Sequence, residues 1–398
     1  MNSPPGTASP TSNAVLRGNN LALVATLVHR SGPSSRAELT KLTGLSRSAM
    51  SVLIGELVES GWVTEEAPQP NGRIGRPSPM VMPGRAFAAV GVHVDADAIT
   101  VGLVGLGGDL LRRVRVDTHA PPSPEAVVRN VTSIVDGFRF ERAPRRIIGI
   151  GVAVPGLVDA ESGDVRWTPR LGWSGVAIGR QLEEALGLPV VVGNDCTLEG
   201  IAEARFGVAK GIDDVVYVAG HASGIGGGVI VGGVPLQGAS GYAAELGHTL
   251  VRTGGVLCRC GRRGCLEAEV SLDGLLDLLG RTTIDQDELD IALETSRDPR
   301  VFAEVKRQTA LLAEGLSTFI HLFNPRIVVL GGFLGSLLSV ERERLSAEVS
   351  SRTLSEFRRS VRIERAALRS RLELVGATEP IFDRALTDPA AVMGSAKG

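Results

Sequence analysis

The sequence of 398 residues is poor in cysteine and aromatic residues and has no long apolar run. Four cysteines argue against a disulfide framework as the support of so long a chain. No stretch approaches the roughly 20 apolar residues that span a bilayer, so we expect no membrane association. Residues 1–18 carry one charge, Arg17, and lack the basic start and apolar stretch of a signal peptide. They are predicted to form a disordered tail, and the protein is predicted to be cytoplasmic.

Aspartate is absent from residues 1–85, which hold eight basic and five acidic residues and carry a net charge of +3. The remainder holds 34 basic and 39 acidic residues, a net charge of −5. The total length suits two or three domains. We therefore predict a small basic domain over 19–85 on an acidic body over 86–398, an asymmetry that fits nucleic-acid binding.

Helical periodicity and capping residues dominate the basic domain. Apolar residues at helical spacing predict a first helix over 19–30. Ser35 and Glu38 have the spacing of a capping box, which begins a second helix. Gly44 supplies a turn, and Ser46 is a typical N-cap for a third helix. Two helices joined by a tight glycine turn are typical of a helix-turn-helix.

The third helix is predicted to bind operator DNA. In a helix-turn-helix, the second helix of the pair enters the major groove with its N-terminal residues at the base edges. The predicted DNA contacts on this helix are Ser46, Arg47, Ser48 and Ser51. The opposite face is predicted to pack on the core through Met50, Val52, Leu53, Ile54 and Leu57.

A predicted strand over 61–64 is followed by the glycine- and arginine-rich loop 72–77. Arg73 and Arg76 in this loop could enter an A·T-rich minor groove, as the wing of a winged helix-turn-helix does. The alternative is a three-helix bundle whose charged hairpin binds a protein. The position of the loop after the third helix favours DNA.

The acidic body shows the same order of predicted elements twice, which indicates an α/β fold with two lobes. Strands are predicted over 88–94, 99–106 and 110–116, followed by a helix over 124–138 and a buried strand over 147–154. The second set has strands over 214–219, 227–231, 234–236 and 326–330. Ligands commonly bind in the cleft between such lobes.

Five motifs of the body resemble the ROK family, a group of repressors and sugar kinases. They are Ala-Val-Pro-Gly at 153–156, Gly-Asn-Asp at 193–195, Gly-Ile-Gly-Gly-Gly at 224–228, Glu-Leu-Gly-His at 245–248, and the cysteine block 258–267. The preceding domain resembles that of the family's repressor branch. This resemblance implies an actin/hexokinase-like two-lobed sensor domain, a homodimer or homotetramer, and a monosaccharide bound between the lobes.

A histidine and three cysteines form a predicted structural zinc site in the loop 248–267. The set His248, Cys258, Cys260 and Cys265 matches the ligands of a closed tetrahedral Zn²⁺ site. Glycines at 254, 255, 261 and 264 would let the loop fold back on itself. The alternative is that these cysteines are buried free thiols. Cys196 lies outside the cluster and is predicted to be a packed thiol.

The predicted sugar-binding residues are Asn194, Asp195, Glu245, His248 and Glu267. The first two follow a strand and precede a helix, where sheets of this kind present ligands. The resemblance to the ROK family implies the other three, with one ring nitrogen of His248 on zinc and the other facing a sugar hydroxyl. Alternatively, Asn194 and Asp195 are helix caps and the two glutamates are solvated. Trp173 could stack on a sugar, although a core position fits it better. Arg170 replaces an asparagine of the family's kinases.

The sequence argues against kinase activity. The kinases of the family carry Asp-x-Gly-Gly-Thr where this chain has Asp95–Thr100, with Asp97 and Ala98 in place of the glycines. A carboxylate and side chains there would repel ATP phosphates and block close approach of the backbone. Asp195, which would be the general base of a kinase, is retained. We predict a sensor without catalytic activity.

The sequence therefore predicts a sugar-responsive transcription regulator, a repressor released when a monosaccharide closes the lobes. The zinc loop is expected to carry that closure to the oligomer interface and to the DNA-binding domain. The first alternative is an active, glucokinase-like ATP-dependent sugar kinase with a DNA-binding head. The second is a regulator that senses a phosphosugar or a partner protein.

Overall fold

The computed structural model describes residues 13–66, 79–139 and 145–394. The helices are α1 (Asn13–Ser31), α2 (Arg36–Thr43), α3 (Arg47–Glu59), α4 (Pro124–Arg139), α5 (Ile178–Leu186), α6 (Asp195–Phe206), α7 (Leu266–Glu269), α8 (Leu272–Leu279), α9 (Gln286–Thr295), α10 (Pro299–Phe323), α11 (Gly332–Arg352), α12 (Ser355–Arg358), α13 (Leu372–Thr387) and α14 (Pro389–Gly394). None of them is both long enough and apolar enough to cross a membrane.

The strands form four sheets. They are β1 (Ser34–Ser35), β2 (Val63–Glu66), β3 (Met80–Pro83), β4 (Phe87–Val94), β5 (Ala98–Gly105), β6 (Asp109–Asp117), β7 (Arg146–Val154), β8 (Leu157–Val158), β9 (Val165–Thr168), β10 (Trp173–Val176), β11 (Val190–Asn194), β12 (Val215–His221), β13 (Gly224–Val231), β14 (Val234–Pro235), β15 (Ile327–Gly331) and β16 (Arg362–Arg365). Two sheets of three strands, β1-β3-β2 and β10-β9-β8, accompany two of five strands.

The N-terminal domain contains the predicted helix-turn-helix. Ser35 and Glu38 form a reciprocal capping box at the start of α2, and Gly44 ends that helix with φ 71°. The side chain of Ser46 accepts the N–H of Ala49 and caps α3. The predicted start of the first helix is wrong, because α1 begins at Asn13 and so includes residues 13–18 of the predicted tail. Residues 1–12 lie outside the described part of the chain.

The two five-stranded sheets of the body have the same strand order, β6-β5-β4-β7-β11 and β14-β13-β12-β15-β16. In each sheet the first three strands are antiparallel and the last two pair in parallel. This repeat confirms the predicted duplication. The sequence prediction placed a strand before Asn194, where β11 lies, but it missed β16, the fifth strand of the second sheet.

Two helices cross between the sheets and join the lobes. The helix α6 follows β11 of the first sheet but packs against β12 and β13 of the second, whereas α13 follows β16 and packs against β4 and β7 of the first. A Cβ on Gly376 of α13 would lie 2.6 Å from the carbonyl oxygen of Leu198 on α6, so only glycine allows this approach. Each helix thus packs on the sheet of the other lobe, and a cleft between the lobes lies at the N-terminal end of α6.

The N-terminal domain is docked on the same pair of helices. Trp62, which follows α3, stacks on Phe87 at 4.3 Å between ring centroids and donates its indole N–H to the carbonyl oxygen of Pro389. The His29 side chain of α1 is fully buried against Glu379 of α13. Lys210, just beyond α6, donates to the carbonyl oxygen of Ser31. The DNA-binding domain and the end of α6 are therefore in direct contact.

Candidate functional site

A cleft of about 960 Å³, including the space open to solvent, lies between the lobes at the start of α6. All five predicted sugar-binding residues line it: Asn194, Asp195, Glu245, His248 and Glu267. The glycine-rich start of β13 forms part of another wall, together with Trp167 and Arg170. The structure thus brings together five predicted residues that are as many as 73 positions apart in the sequence.

Asn194 and Asp195 occupy the N-terminus of α6. The Asn194 side chain accepts the N–H of Thr197 at 2.9 Å and donates to the carbonyl oxygen of Gly156 at 3.1 Å, so it caps the helix as the alternative interpretation proposed. Asp195 is buried, and this burial raises the pKa of its carboxyl group. One Asp195 oxygen accepts the N–H of Cys196 at 2.7 Å. Of the pair, Asp195 is the better candidate for a ligand contact.

The two glutamates approach the cleft from the second lobe. Enclosure by the cleft and the negative charges of Asp195 and Glu267 raise the pKa of Glu245 to about 7. Glu267 accepts the N–H of Ile225 at 3.3 Å. Gly224 has φ 135°, and a Cβ there would lie 2.2 Å from a Glu267 carboxylate oxygen. The first glycine of the motif 224–228 is therefore required for the position of Glu267.

The aromatic residue at the cleft is Trp167, which the sequence reasoning missed. Trp173 is buried and donates its indole N–H to the carbonyl oxygen of Pro122, in agreement with a core position. Trp167 on the paired strand β9 is 38% exposed and lines the cleft. Arg170 also lines the cleft and donates to Asp273 of α8 at 3.0 Å, which links the two lobes across the opening.

The predicted metal-binding loop brings its four donors together. The donor atoms of His248, Cys258, Cys260 and Cys265 all lie within 4.8 Å of one another. The Nδ1 atom of His248 is 3.7 Å from the Cys258 sulfur, and the Cys260 and Cys265 sulfurs are 3.7 Å apart. Gly254, Gly261 and Gly264 have positive φ, as the fold-back of the loop requires. These residues could hold a metal ion.

In the hairpin Asp95–Thr100, the negative charge of Asp97 is less isolated than the sequence analysis assumed. Asp97 accepts a hydrogen bond from Arg115 at 3.0 Å, so its charge is partly compensated within the hairpin. The carboxylate of Asp95 accepts the N–H of Ala96, the next residue, at 2.7 Å. Repulsion of phosphate by Asp97 is accordingly weaker than the sequence suggested. The side chains at 97 and 98 remain in the hairpin.

The four predicted DNA-contact residues lie in or next to the exposed first turn and a half of α3. Ser46 caps the helix, and its hydroxyl lies 3.0 Å from that of Ser48. The Ser51 hydroxyl accepts a hydrogen bond from Arg36, which also binds Glu65 through two nitrogens. Within the described part of the chain, Arg47 forms neither a hydrogen bond nor an ion pair with its side chain, which leaves it available to DNA.

The prediction for one residue of the recognition helix is wrong. Val52 was assigned to the core face, but it is 56% exposed, whereas Met50, Leu53, Ile54 and Leu57 are buried. The buried residues follow the i, i+3, i+4, i+7 spacing, and Val52 falls on the opposite face. An exposed valine beside Ser48 and Ser51 is suited to contact a thymine methyl group. Arg73 and Arg76 of the predicted wing lie outside the described residues.

Comparison with known proteins agrees with this architecture. The sequence profile of the ROK family matches residues 89–381, and that of the MarR family matches residues 22–74. The chain belongs to the ROK family. The resemblance inferred from the five motifs is therefore confirmed.

Individual relatives include both regulators and kinases. The xylose repressor of Bacillus subtilis is 28% identical over 375 residues, which cover 92% of this chain and 96% of that protein. The glucokinase of Thermotoga maritima is 32% identical over 261 residues, 61% of this chain and 81% of the kinase. A ROK family transcriptional regulator described as a homolog of the E. coli MLC protein superposes with a TM-score of 0.76, at 24% identity, over 96% of this chain and 100% of its own. The predicted fold, a two-lobed body with a winged helix-turn-helix, is confirmed.

Proposed function

We propose that this protein is a sugar-responsive DNA-binding transcription regulator, a repressor that a monosaccharide releases from its operator. The observation that carries this proposal is the course of α6, which begins in the cleft at Asp195 and ends against the DNA-binding domain at Phe206. The similarity to the xylose repressor covers 92% of the chain and so extends into the DNA-binding domain, which supports the same assignment. Such a regulator acts at its operator, in the cytoplasm.

The chemistry of the cleft suits a monosaccharide. Each sugar hydroxyl is both donor and acceptor, so a sugar site needs several carboxylates and ring nitrogens that converge. Asp195, Glu245 and Glu267 supply carboxylates around one opening. Trp167 supplies an exposed indole in the wall of the same cleft, against which the apolar face of a sugar ring can pack.

The loop 248–267 is proposed to bind a structural Zn²⁺ ion. Three thiolates and an imidazole nitrogen within 4.8 Å of one another fit the tetrahedral donor set of this ion. With Nδ1 of His248 directed at the cysteines, its Nε2 is the ring nitrogen left for the cleft. Zinc would thereby hold His248 in a fixed orientation at the wall of the sugar site.

The helix α6 offers a direct route from the sugar site to the operator-binding domain. Its 12 residues span about 18 Å at 1.5 Å per residue. Phe206 at its end meets the ring of His29 edge to face, at 5.4 Å between centroids. A sugar that binds Asp195 more tightly in one lobe arrangement would shift the position of α6 and, through these contacts, that of α1.

Loss of kinase activity remains part of the proposal. Asp97 and Ala98 stand in the hairpin that is glycine-rich in the kinases of the family, where side chains would obstruct approach of the backbone to phosphate. The rival function, an ATP-dependent sugar kinase with a DNA-binding head, is favoured by the buried Asp195 and by the similarity to a glucokinase. Sugar-dependent release of ADP, abolished by Asp195→Ala, would establish the rival.

Oligomerisation is proposed because exposed apolar residues lie on two segments of the second lobe. Val231 and Val234 are 48% and 66% exposed at the β13–β14 turn, and Val256 and Leu257 are 53% and 59% exposed in the metal-binding loop. Apolar surface of this kind marks interaction sites. A homodimer or homotetramer would present paired α3 helices to a partly palindromic operator.

The main test of this function is operator release measured by fluorescence anisotropy, with DNA fragments selected by the protein and a panel of monosaccharides. One sugar should lower operator affinity in the wild-type protein. Asp195→Asn should weaken the binding of that sugar about 10- to 150-fold, because a hydrogen bond to a charged group contributes about 1.5–3 kcal/mol. Asp136→Asn, which alters an exposed aspartate of α4, should behave as wild type. An operator complex that is insensitive to every sugar would contradict the proposal.

Arg47→Ala is expected to weaken specific operator binding by about 1–3 kcal/mol if the guanidinium group contacts a base, and to reduce the salt dependence by about one charge if it contacts a phosphate. Either effect follows from the exposed position of Arg47 at the start of α3, where its side chain has no partner among the described residues. Anisotropy titrations at several salt concentrations distinguish the two. Arg113→Ala, which removes an exposed arginine from the body, is the matched control. Equal losses in both variants would indicate a general charge effect instead of a recognition contact.

A further inference from the structure

A second group of potential metal ligands lies beside the cleft, apart from the cysteine loop. Cys196 and Glu199 are one turn apart on α6, and His221 ends the strand β12 against which α6 packs. Their candidate ligand atoms all lie within 4.8 Å of one another. A Cβ on Gly226 would lie 2.5 Å from the Cys196 sulfur, so the absence of a side chain at 226 makes room for the thiol.

The hydrogen bonds of this group leave polar atoms unsatisfied. One oxygen of Glu199, Oε2, accepts the Tyr217 hydroxyl at 2.7 Å and lies 3.0 Å from Nε2 of His221. The other oxygen, Oε1, is fully buried and has no hydrogen-bond partner among the residues that the structure describes. A buried acceptor without a donor costs about 1–3 kcal/mol. An ion pair between His221 and Glu199 therefore gives Oε2 of Glu199 a partner. It leaves Oε1 without one.

His93 contributes a second unsatisfied atom near the same place. It lies on β4 of the first lobe, it is 6% exposed, and its ring centroid is 6.0 Å from that of His221. Its Nε2 atom is buried and has no hydrogen-bond partner within the described ranges. The carboxylate oxygen of Glu199 lacks an electron-pair acceptor, and so does Nε2 of His93 in the tautomer that carries its proton on Nδ1.

We propose that Cys196, Glu199 and His221 bind a divalent transition-metal ion, for which Zn²⁺ is the best match, at the wall of the cleft. A thiolate, an imidazole and a carboxylate are ligands of Zn²⁺, whereas Mg²⁺ and Ca²⁺ prefer oxygen ligands alone. Three protein ligands leave a fourth position for water or for His93. The site shares no residue with the loop 248–267 and does not depend on the proposed response to sugar.

The surroundings provide access and a reason for occupancy. Cys196 and His221 both line the cleft, which gives an ion a path from solvent. Asp195, adjacent to Cys196, is also buried. A bound cation would compensate the negative charge of Asp195 and Glu199 and fix the first turn of α6.

The test counts metal in the full-length protein, which is stripped with a chelator, reloaded with Zn²⁺ and analysed by mass spectrometry after gel filtration. The wild-type protein is expected to bind one equivalent more than Cys196→Ala and than His221→Gln. Cys265→Ser, which alters the other site, is the matched control and should keep the equivalent at the cleft. If the wild type and both cleft variants bind equal amounts of zinc, the proposal is wrong.

A measurement on the unaltered protein covers the case in which the variants fail to fold. Thiolate ligands give Co²⁺ an intense near-ultraviolet charge-transfer band whose strength grows with the number of thiolates. Co²⁺ titration of the stripped wild type is expected to show a strong phase from the three loop cysteines and a second, weaker phase from Cys196. A titration that saturates after a single equivalent would overturn the proposal.

Discussion

Replacing Glu379 by glutamine is expected to lower the free energy of unfolding by about 3–5 kcal/mol, because the change removes the charged acceptor of a buried ion network. Glu379 of α13 is fully buried, and Arg205 of α6 donates to one of its oxygens at 2.6 Å. His29 of α1 lies 3.2 Å from the other oxygen. The Nδ1 atom of His29 accepts the N–H of Gly107 at 3.0 Å, so Nε2 is the nitrogen that donates to Glu379. Without the carboxylate, the partly buried Arg205 keeps only its ion pair with Asp383.

The matched control is Asp383→Asn, one turn further along α13. Asp383 also accepts a hydrogen bond from Arg205, at 2.7 Å, and another from Arg30 at 2.9 Å, but its side chain is 40% exposed. Exposed ion pairs contribute about 0–1 kcal/mol, so this variant should be nearly as stable as wild type. Urea unfolding followed by circular dichroism compares the two. If both variants lost an equally small part of the free energy of unfolding, water would reach the contact between α1, α6 and α13. Glu379 would then not behave as a buried charge.

The same network predicts a dependence on pH. Burial alone would raise the pKa of Glu379, but His29 and Arg205 outweigh burial and hold the pKa below its ordinary value of 4.5. A carboxyl group whose pKa is lowered on folding stabilises the fold above the pKa of the unfolded state, and this contribution is lost as the pH falls through the lowered value. The wild type should therefore lose more stability than Glu379→Gln between neutral and acidic pH.

The network also bears on regulation, because it joins α6 and α1, the two helices of the proposed route, to α13. It contains one residue of α1, one at the end of α6 and one of α13. A variant that folds but lacks this connection should still bind operator through α3. Its response to sugar should be reduced. An unchanged response to sugar in Glu379→Gln would show that the signal travels by another path.

Local sequence patterns sufficed for the parts of the fold that neighbouring residues determine. The capping box of Ser35 and Glu38, the turn at Gly44 and the N-cap Ser46 all depend on contacts within a few residues. The convergence of the potential metal ligands in the loop 248–267 was also predictable, because three of them lie within eight positions and the glycines between them permit a tight fold. These features could be read without knowledge of the tertiary structure.

Long-range packing was the part that sequence could not supply. The strand β16 has the sequence Arg-Ile-Glu-Arg, whose charges conceal its pairing with the buried β15. Cys196 is a buried free thiol, as predicted, but nothing in the sequence shows that α6 packs on the sheet of the opposite lobe, where it meets His221. Val52 was the exception. Its misassignment could have been avoided, since its helical position opposes that of Met50 and Ile54.

Cys265→Ser is expected to remove one equivalent of zinc and to lower the stability of the second lobe. The sulfur of Cys265 is buried, and its backbone pairs with that of Leu250, so the loop 248–267 closes around it. A ligand present at about 1,000 times its Kd stabilises the folded state by about 4 kcal/mol, which gives the scale of the loss on removal of zinc. Thermal melting with and without a chelator measures it. The chelator should destabilise the wild type and have a smaller effect on the variant.

Arg263→Ala separates metal binding from the integrity of the loop. Arg263 lies in the same loop and donates to the carbonyl oxygen of Gly255, but it is not one of the four potential metal ligands. This variant should keep its zinc and its sugar affinity. Cys265→Ser should lose sugar affinity as well, because His248 is then no longer fixed at the cleft. If Cys265→Ser lost its zinc but bound sugar as tightly as wild type, zinc would stabilise the lobe without orienting His248, and the two roles of the loop would be independent.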